Sequence, residues 1–127
     1  MKQLTWLSLS NNPIQLQDSD INFISNLTQL SGLSLGRLQI KDISFMSNLT
    51  MLTELNLQYN EISDVSPLSG MTRLKLLRLW GNQISDIGPL SQLTQLTELS
   101  LGGNPLDDDA INIHIPFLRS QGVKINE

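Results

Sequence analysis

The chain has 127 residues, a formal net charge of −4 and no cysteine. Its eight lysines and arginines are scattered singly, so no basic stripe exists to neutralise phosphates, and a nucleic-acid partner is not expected. Without cysteine there is no disulfide or thiolate metal site, and without an apolar run of about 18 residues no membrane insertion is expected.

The apolar residues are periodic from the start. Leu4, Leu7, Leu9, Asn12 and Ile14 open a pattern whose next leucine, Leu30, comes 26 residues after Leu4. Four extra residues therefore fall between Ile14 and Ile21, in the polar segment QLQDSD. Asp18 or Ser19 is placed to cap a short helix that turns Ile21, Ile24 and Leu27 inward. The opening MKQLTWLSLS lacks the long apolar stretch of a secretory leader, which leaves localisation open. The first strand is expected at about residue 4 with no N-terminal cap, leaving Leu7, Leu9 and Ile14 without a neighbouring coil. An uncapped edge of this kind templates pairing with another chain, so a homodimer through the N-terminal edge is one expectation.

A second unit runs Leu30, Leu33, Leu35, Leu38, Ile40, Ile43, Met46, Leu49. Two further units then repeat residue for residue. Leu52, Leu55, Leu57, Asn60, Ile62, Val65, Leu68 and Met71 recur 22 residues later as Leu74, Leu77, Leu79, Asn82, Ile84, Ile87, Leu90 and Leu93. A fifth unit, Leu96, Leu99, Leu101, Asn104, Leu106, leads into a tail at residues 107–127. There Asp107 to Asp109 suit a helix N-terminus better than a calcium site, since consecutive aspartates point in different directions. Pro116 restricts this helix to a broken one or to one with proline in its first turn. Ile111, Ile115 and Leu118 are expected to face inward, and Val123 and Ile125 to form a last strand that covers the open end of the stack.

Self-similarity at a period of 22 marks a solenoid, with repeats beginning near residues 4, 30, 52, 74 and 96 of one domain spanning 1–127. Within each unit LxxLxLxx alternates at period 2, a short strand with its leucines toward the core. After the asparagine the spacing becomes three, which suits a 3₁₀ return. Strand, turn, return and strand again makes neighbouring strands parallel. The asparagines Asn12, Asn60, Asn82 and Asn104 are expected to bond backbone groups of their own and neighbouring coils. Leu38 stands in their column and cannot, so its turn is expected to be rearranged. Asp42, Asp64 and Asp86 recur where they cap the returns. Phe23, Phe45, Pro67 and Pro89 occupy one convex column, expected to be half-buried.

These residues carry a resemblance. LTELNLQYNEISDVSPLSGMTR and LKLLRLWGNQISDIGPLSQLTQ resemble the 22-residue leucine-rich repeat of the bacterial internalin-like class, and INIHIPFLRSQGVKI resembles the closing segment of some bacterial leucine-rich-repeat proteins. The resemblance implies an α/β leucine-rich-repeat solenoid of about five repeats with a C-terminal cap. It specifies a fold and leaves function to the residues on display.

No nucleophile, base or metal set can be assembled, and no cofactor is expected. His114, the only histidine, lies among apolar residues and reads as structural. Asn26-Leu27-Thr28 and Asn48-Leu49-Thr50 match a glycosylation sequon but are also what the repeat itself supplies. The remaining signal is on the concave sheet face, where the third, fifth, seventh and eighth positions of LxxLxLxx point outward. There lie Trp6, Arg37, Glu54, Tyr59, Leu76, Arg78, Trp80 and Glu98, among them both tryptophans and the only tyrosine. Residues of these types dominate binding hot spots. Gly32, Ser34 and Gly36 are expected to be open on the same face, and Glu54 and Glu98 to hold the Arg78 guanidinium diagonally. The expected function is a non-enzymatic module that binds a protein partner on this face. The alternatives are a structural or engineered fragment that self-associates through its N-terminal edge, and the recognition part of a larger enzyme or effector.

Overall fold

The computed structural model describes residues 4–12 and 15–127; Ile14 lies outside them. Six short strands line up in sequence order: β1 (Trp6–Ser8), β2 (Gly32–Ser34), β3 (Glu54–Asn56), β4 (Leu76–Arg78), β5 (Glu98–Ser100) and β6 (Lys124–Asn126). All neighbours are parallel, and Leu7, Leu33, Leu55, Leu77, Leu99 and Ile125 share one row facing the core. Leu33, Leu55, Leu77 and Leu99 are all at most 2% exposed. Leu7 and Leu9 are only partly buried: among the described residues a coil packs against them on one side.

The returns are 3₁₀ helices at Ser44–Met46, Ser66–Leu68 and Gly88–Gln92. Asp42, Asp64 and Asp86 cap them as expected: their Oδ1 atoms accept the N–H of Ser44, Ser66 and Gly88 at 2.8, 2.9 and 2.8 Å. The Ser44 backbone N–H, reinforced by the Ser44 hydroxyl, holds the Asp42 carboxyl below the ordinary carboxylate range, and Ser66 does the same for Asp64. A depressed folded-state pKa stabilises the fold above the unfolded value, near ~3.9, and that contribution disappears as pH falls through the lower folded value. The melting-temperature advantage of the wild type over Asp42→Asn/Asp64→Asn should therefore be full at pH 5 and shrink below about pH 4. An advantage that is constant across a pH series of thermal melts would show that these caps act without their charge.

Each coil leaves the sheet through a left-handed residue. Asn11, Arg37, Tyr59, Gly81 and Gly103 have φ of 63°, 62°, 57°, 67° and 72°, a conformation that is free for glycine and costs other residues about 1–2 kcal/mol. The turn aims the next residue under the sheet. Asn60 Nδ2 donates to the carbonyls of Leu57, in its own coil, and Leu35, in the preceding one, at 2.9 and 3.0 Å. Asn82 and Asn104 repeat this with Leu79 and Leu57, and with Leu101 and Leu79. Their Oδ1 atoms accept the N–H of Ile62 and Ile84 at 3.1 Å.

Repeat two departs from the others as expected of Leu38. Leu38 is 2% exposed, and Gln39 beside it is left-handed as well, with φ of 59°. The turn keeps its partners because Asn60 supplies them. Its Oδ1 accepts the N–H of both Leu38 and Ile40, at 3.0 and 3.1 Å, and its amide serves the Leu35 carbonyl.

The extra residues of the first unit form α1 (Asp18–Ser25), which packs on the Ser44–Met46 return. Its cap is Gln17 rather than Asp18 or Ser19: the Gln17 N–H is bonded by Asp20 Oδ2 at 2.9 Å. Ile24 is buried, while Ile21 and Leu27 are half-buried. Phe23 is 60% exposed and leaves the convex column, since the insertion displaces α1 from the line of Phe45, Pro67 and Pro89, which are half-buried.

In the tail a π-helical turn, Ala110–His114, runs into α2 (Ile115–Ser120), with Pro116 in the first turn. Pro116 has no N–H to give and its ring crowds the preceding turn, and the Ile115 N–H reaches back five residues to Ala110 O. The widened turn shifts the inward face. Ala110, Ile115 and Leu118 are buried, and Ile111, expected inward, is 49% exposed.

The two rims of the sheet differ. In a parallel ladder alternate residues bond to opposite sides. Thr5 O, Leu9 N and Asn11 N bond to the second coil, so the outward backbone groups of β1 belong to Trp6 and Ser8 and not to Leu7 and Leu9. On the far rim the outward carbonyl of Ile125 is met by Arg119 Nη2 at 3.4 Å, and the same nitrogen pairs with Glu127 Oε1 at 3.0 Å.

Candidate functional site

The concave face is ruled into columns by the strand register. One runs Trp6, Gly32, Glu54, Leu76, Glu98, Lys124, and the next Ser8, Ser34, Asn56, Arg78, Ser100, Asn126. Just past the strand ends come Ser10, Gly36, Gln58, Trp80 and Gly102, followed by the left-handed residues.

The N-terminal half of this face is closed over itself. A Cβ at Gly32 would overlap the Trp6 indole, so Trp6 lies flat on the neighbouring coil while its outer face stays open. The Ser10 hydroxyl is bonded to that of Ser34 and accepts the Gly36 N–H at 2.8 Å. Gln58 Cγ lies 3.2 Å from where a Gly36 Cβ would be. Gly32, Ser34 and Gly36, expected to be open, are therefore buried. Trp6 also stands three strands from β4, roughly 14 Å away at about 4.8 Å per strand.

The C-terminal half is open. Tyr59 and Trp80 are 42% and 40% exposed. The Tyr59 ring rests over Gly81, where a Cβ would come 2.5 Å from Tyr59 Cδ1. On Tyr59 sits the Arg37 guanidinium, 4.2 Å from the ring centroid, a cation–π contact of about 0.5–1 kcal/mol at an exposed site. Trp80 leans toward the next coil, its Cδ2 lying 3.9 Å from where a Gly102 Cβ would be. Because Gly102 and Gly103 bring no side chains, a hollow of about 370 Å³ opens there, lined by Tyr59, Trp80, Gly81, Gly102, Gly103, Asn126 and Glu127.

Next to the hollow, Arg78 stands between Asn56 and Ser100, and Leu76 between Glu54 and Glu98. The expected clasp of Arg78 by Glu54 and Glu98 does not form: among the described residues the only ion pair is Arg119–Glu127. Ordering three long exposed side chains costs more than their attraction returns in water. The structure thus brings Tyr59, Trp80 and Arg37 together, sets Leu76, Arg78, Glu54 and Glu98 beside them, and leaves Trp6 apart. Of the residues lining the hollow, Asn126 and Glu127, at the end of the tail, were not singled out from the sequence.

His114 is half-buried on the other side of the molecule, its Nε2 3.5 Å from where a Gly88 Cβ would be. Gly88 replaces the Ser44 and Ser66 of the earlier returns, and the tail docks through this gap. Asp107 caps the tail helix, its Oδ1 accepting the Ala110 N–H at 2.8 Å. Both residues are accounted for structurally.

A family model described as the leucine-rich-repeat part of leucine-rich repeat and WD repeat-containing protein 1 matches residues 17–127, and a second leucine-rich-repeat model matches residues 3–27. The chain belongs to the leucine-rich-repeat family. Among solved structures this leucine-rich-repeat chain is similar to internalin C2 of Listeria monocytogenes, with 31% identity over 98% of the chain and a TM-score of 0.79. It is also similar to internalin InlF of the same organism, with 28% identity over 83% of the chain and a TM-score of 0.62. A leucine-rich-repeat protein of Leptospira interrogans shares the fold at 23% identity, with a TM-score of 0.80 over 95% of the chain. The chain spans 54%, 36% and 30% of those three proteins respectively. No curated protein matches it. The internalin-like resemblance read from the repeats is thereby borne out, and leucine-rich-repeat proteins are in general non-enzymatic protein-interaction modules.

Proposed function

We propose that the C-terminal half of the concave face binds a protein partner, centred on Trp80 and Tyr59. The observation that carries this reading is the pair of exposed aromatic rings bordering a hollow in an otherwise self-covered sheet. Leu76 extends the apolar centre, and Arg37, Arg78, Glu54 and Glu98 form a charged rim. An apolar, aromatic core inside a polar rim is the anatomy of a binding patch. The test is a selection of displayed peptides on the chain, each binder being re-measured against Trp80→Ala, Arg78→Ala and Trp6→Ala. Binders that lose affinity with the first two and tolerate the third support the reading. A panel indifferent to Trp80 and Arg78 overturns it.

A second reading is favoured by the contrast between the rims. Arg119 occupies the outer carbonyl of β6, whereas among the described residues no strand pairs with the outward groups of Trp6 and Ser8. Two copies joined along β1 would continue the sheet. Sedimentation at several concentrations should then show a dimer, with the Trp6 and Ser8 amides gaining hydrogen-exchange protection as it forms. A monomer at all concentrations removes this reading.

A further inference from the structure

We infer that the partner presents an acidic residue to this face, its carboxylate docking on the Arg37 guanidinium where that group lies over Tyr59. The inference rests on the concave-site reading and adds the chemistry of the ligand.

It starts from two side chains held on an unfavourable backbone. The turn after each strand has a left-handed residue, and the fourth and fifth coils fill it with Gly81 and Gly103, at φ of 67° and 72°. The second and third coils place Arg37 and Tyr59 there instead, at 62° and 57°. Glycine adopts this region freely and asparagine tolerates it, whereas arginine and tyrosine have no local means of offsetting it. Arg37 is exposed, so burial does not account for its presence. Strain of this kind gathers where a side chain is put to use. What it secures here is a stack: the Tyr59 ring rests over Gly81, and the Arg37 guanidinium lies 4.2 Å from the ring centroid.

The outermost layer of the stack is a cation without a counter-charge. Among the described residues Arg37 hydrogen-bonds only through its backbone N–H, to Gln58 O at 3.0 Å, and the only ion pair is Arg119–Glu127. A guanidinium carries five N–H donors in a planar fork that matches a carboxylate. With the ring beneath it the group is already positioned, so less rotamer freedom is lost on binding. The charges across the face agree in sign. Glu54 and Glu98 stand at the first residues of β3 and β5, Arg78 at the last residue of β4, and Arg37 past the end of β2. The strand ends that carry Tyr59 and Trp80 are therefore the cationic side, and the carboxylate there, Glu127, is engaged by Arg119. Water screens such an attraction on the free surface. A partner that covers Trp80 removes that water, and the pairing strengthens. Phosphate is the rival anion, but the chain's net charge of −4 opposes a doubly charged group more than a single carboxylate.

The probes are three displayed octapeptide libraries whose fourth residue is fixed as Glu, Gln or Lys. Binders that depend on Trp80 should come at least about tenfold more often from the Glu library, and returning that Glu to Gln should weaken each about tenfold. Arg37→Gly should weaken them equally while leaving the melting temperature at or above that of the wild type, because glycine relieves the backbone. Arg37→Lys keeps the charge but not the fork, and should recover only part of the affinity. Trp80-dependent binders that show no preference for Glu, prefer Lys, or tolerate Arg37→Gly would overturn the inference and leave the concave site standing. A lowered melting temperature in Arg37→Gly would also overturn it, since the stack would then serve the fold. If no library yields Trp80-dependent binders, both readings fall together.

Discussion

Asn82→Ala should lower the free energy of unfolding by roughly 1–3 kcal/mol, the cost of leaving buried backbone groups without partners. Asn82 is 5% exposed. Its Oδ1 accepts the Ile62 N–H at 3.1 Å, and its Nδ2 donates to the carbonyls of Leu57, Leu79 and Trp80 at 3.0, 3.1 and 3.3 Å. These groups lie in two coils, and a methyl group replaces none of the bonds. Asn60→Ala should cost at least as much, because Asn60 also serves the Leu38 turn. Asn12 is exposed and among the described residues bonds only within its own coil, so Asn12→Ala should fall within about 0.5 kcal/mol of wild type, like other surface changes. Urea unfolding of the three variants checks the series. Equal small losses would mean that the asparagine column decorates the turns without holding the coils together.

Trp80→Ala should weaken partner binding by about 2 kcal/mol or more while leaving stability nearly unchanged. The ring is 40% exposed, and below it lies Gly102, whose backbone is already bonded to Gly81 and Asn104. Phe45→Ala should do the reverse. Phe45 is half-buried against the core on the convex side, so its loss should remove part of the roughly 3–5 kcal/mol that a fully buried phenylalanine contributes, with affinity intact. Melting curves and binding isotherms for both variants give a crossed pattern if the concave site is real. Should Trp80→Ala melt early instead, Trp80 is a cover like Trp6 and the site loses its centre.

The parts of this molecule that could be read from the sequence are those fixed by backbone periodicity. An offset of 22 residues set the strand register from β2 to β5, and the same offset placed Asp42, Asp64 and Asp86 at equivalent caps. The asparagine column was legible because a buried amide in a repeated turn has few other uses. What could not be read depends on side-chain direction across coils. Trp6, within β1, and Trp80, just past β4, both face outward, yet Trp6 lies on Gly32, a placement settled by the shape of the neighbouring coil. The π-helical turn before Pro116 shifted the inward face by one residue, enough to exchange Ile111 for Ala110. Arg78 was paired on paper with carboxylates one column away, a distance that water screens.

Leu38 gives the stack a direction of failure. Every later coil hooks backward: Asn60 onto Leu35, Asn82 onto Leu57, Asn104 onto Leu79. The joint between the first coil and the second has no such hook and relies on the sheet ladder, the Ser10 and Ser31 hydroxyls and the packing of α1 on the Ser44–Met46 return. Pulled or warmed gradually, the protein should behave less like a single block than like a zip with one loose tooth. The first coil lets go while coils two to five stay closed, and the open half of the concave face outlasts the half that Trp6 covers.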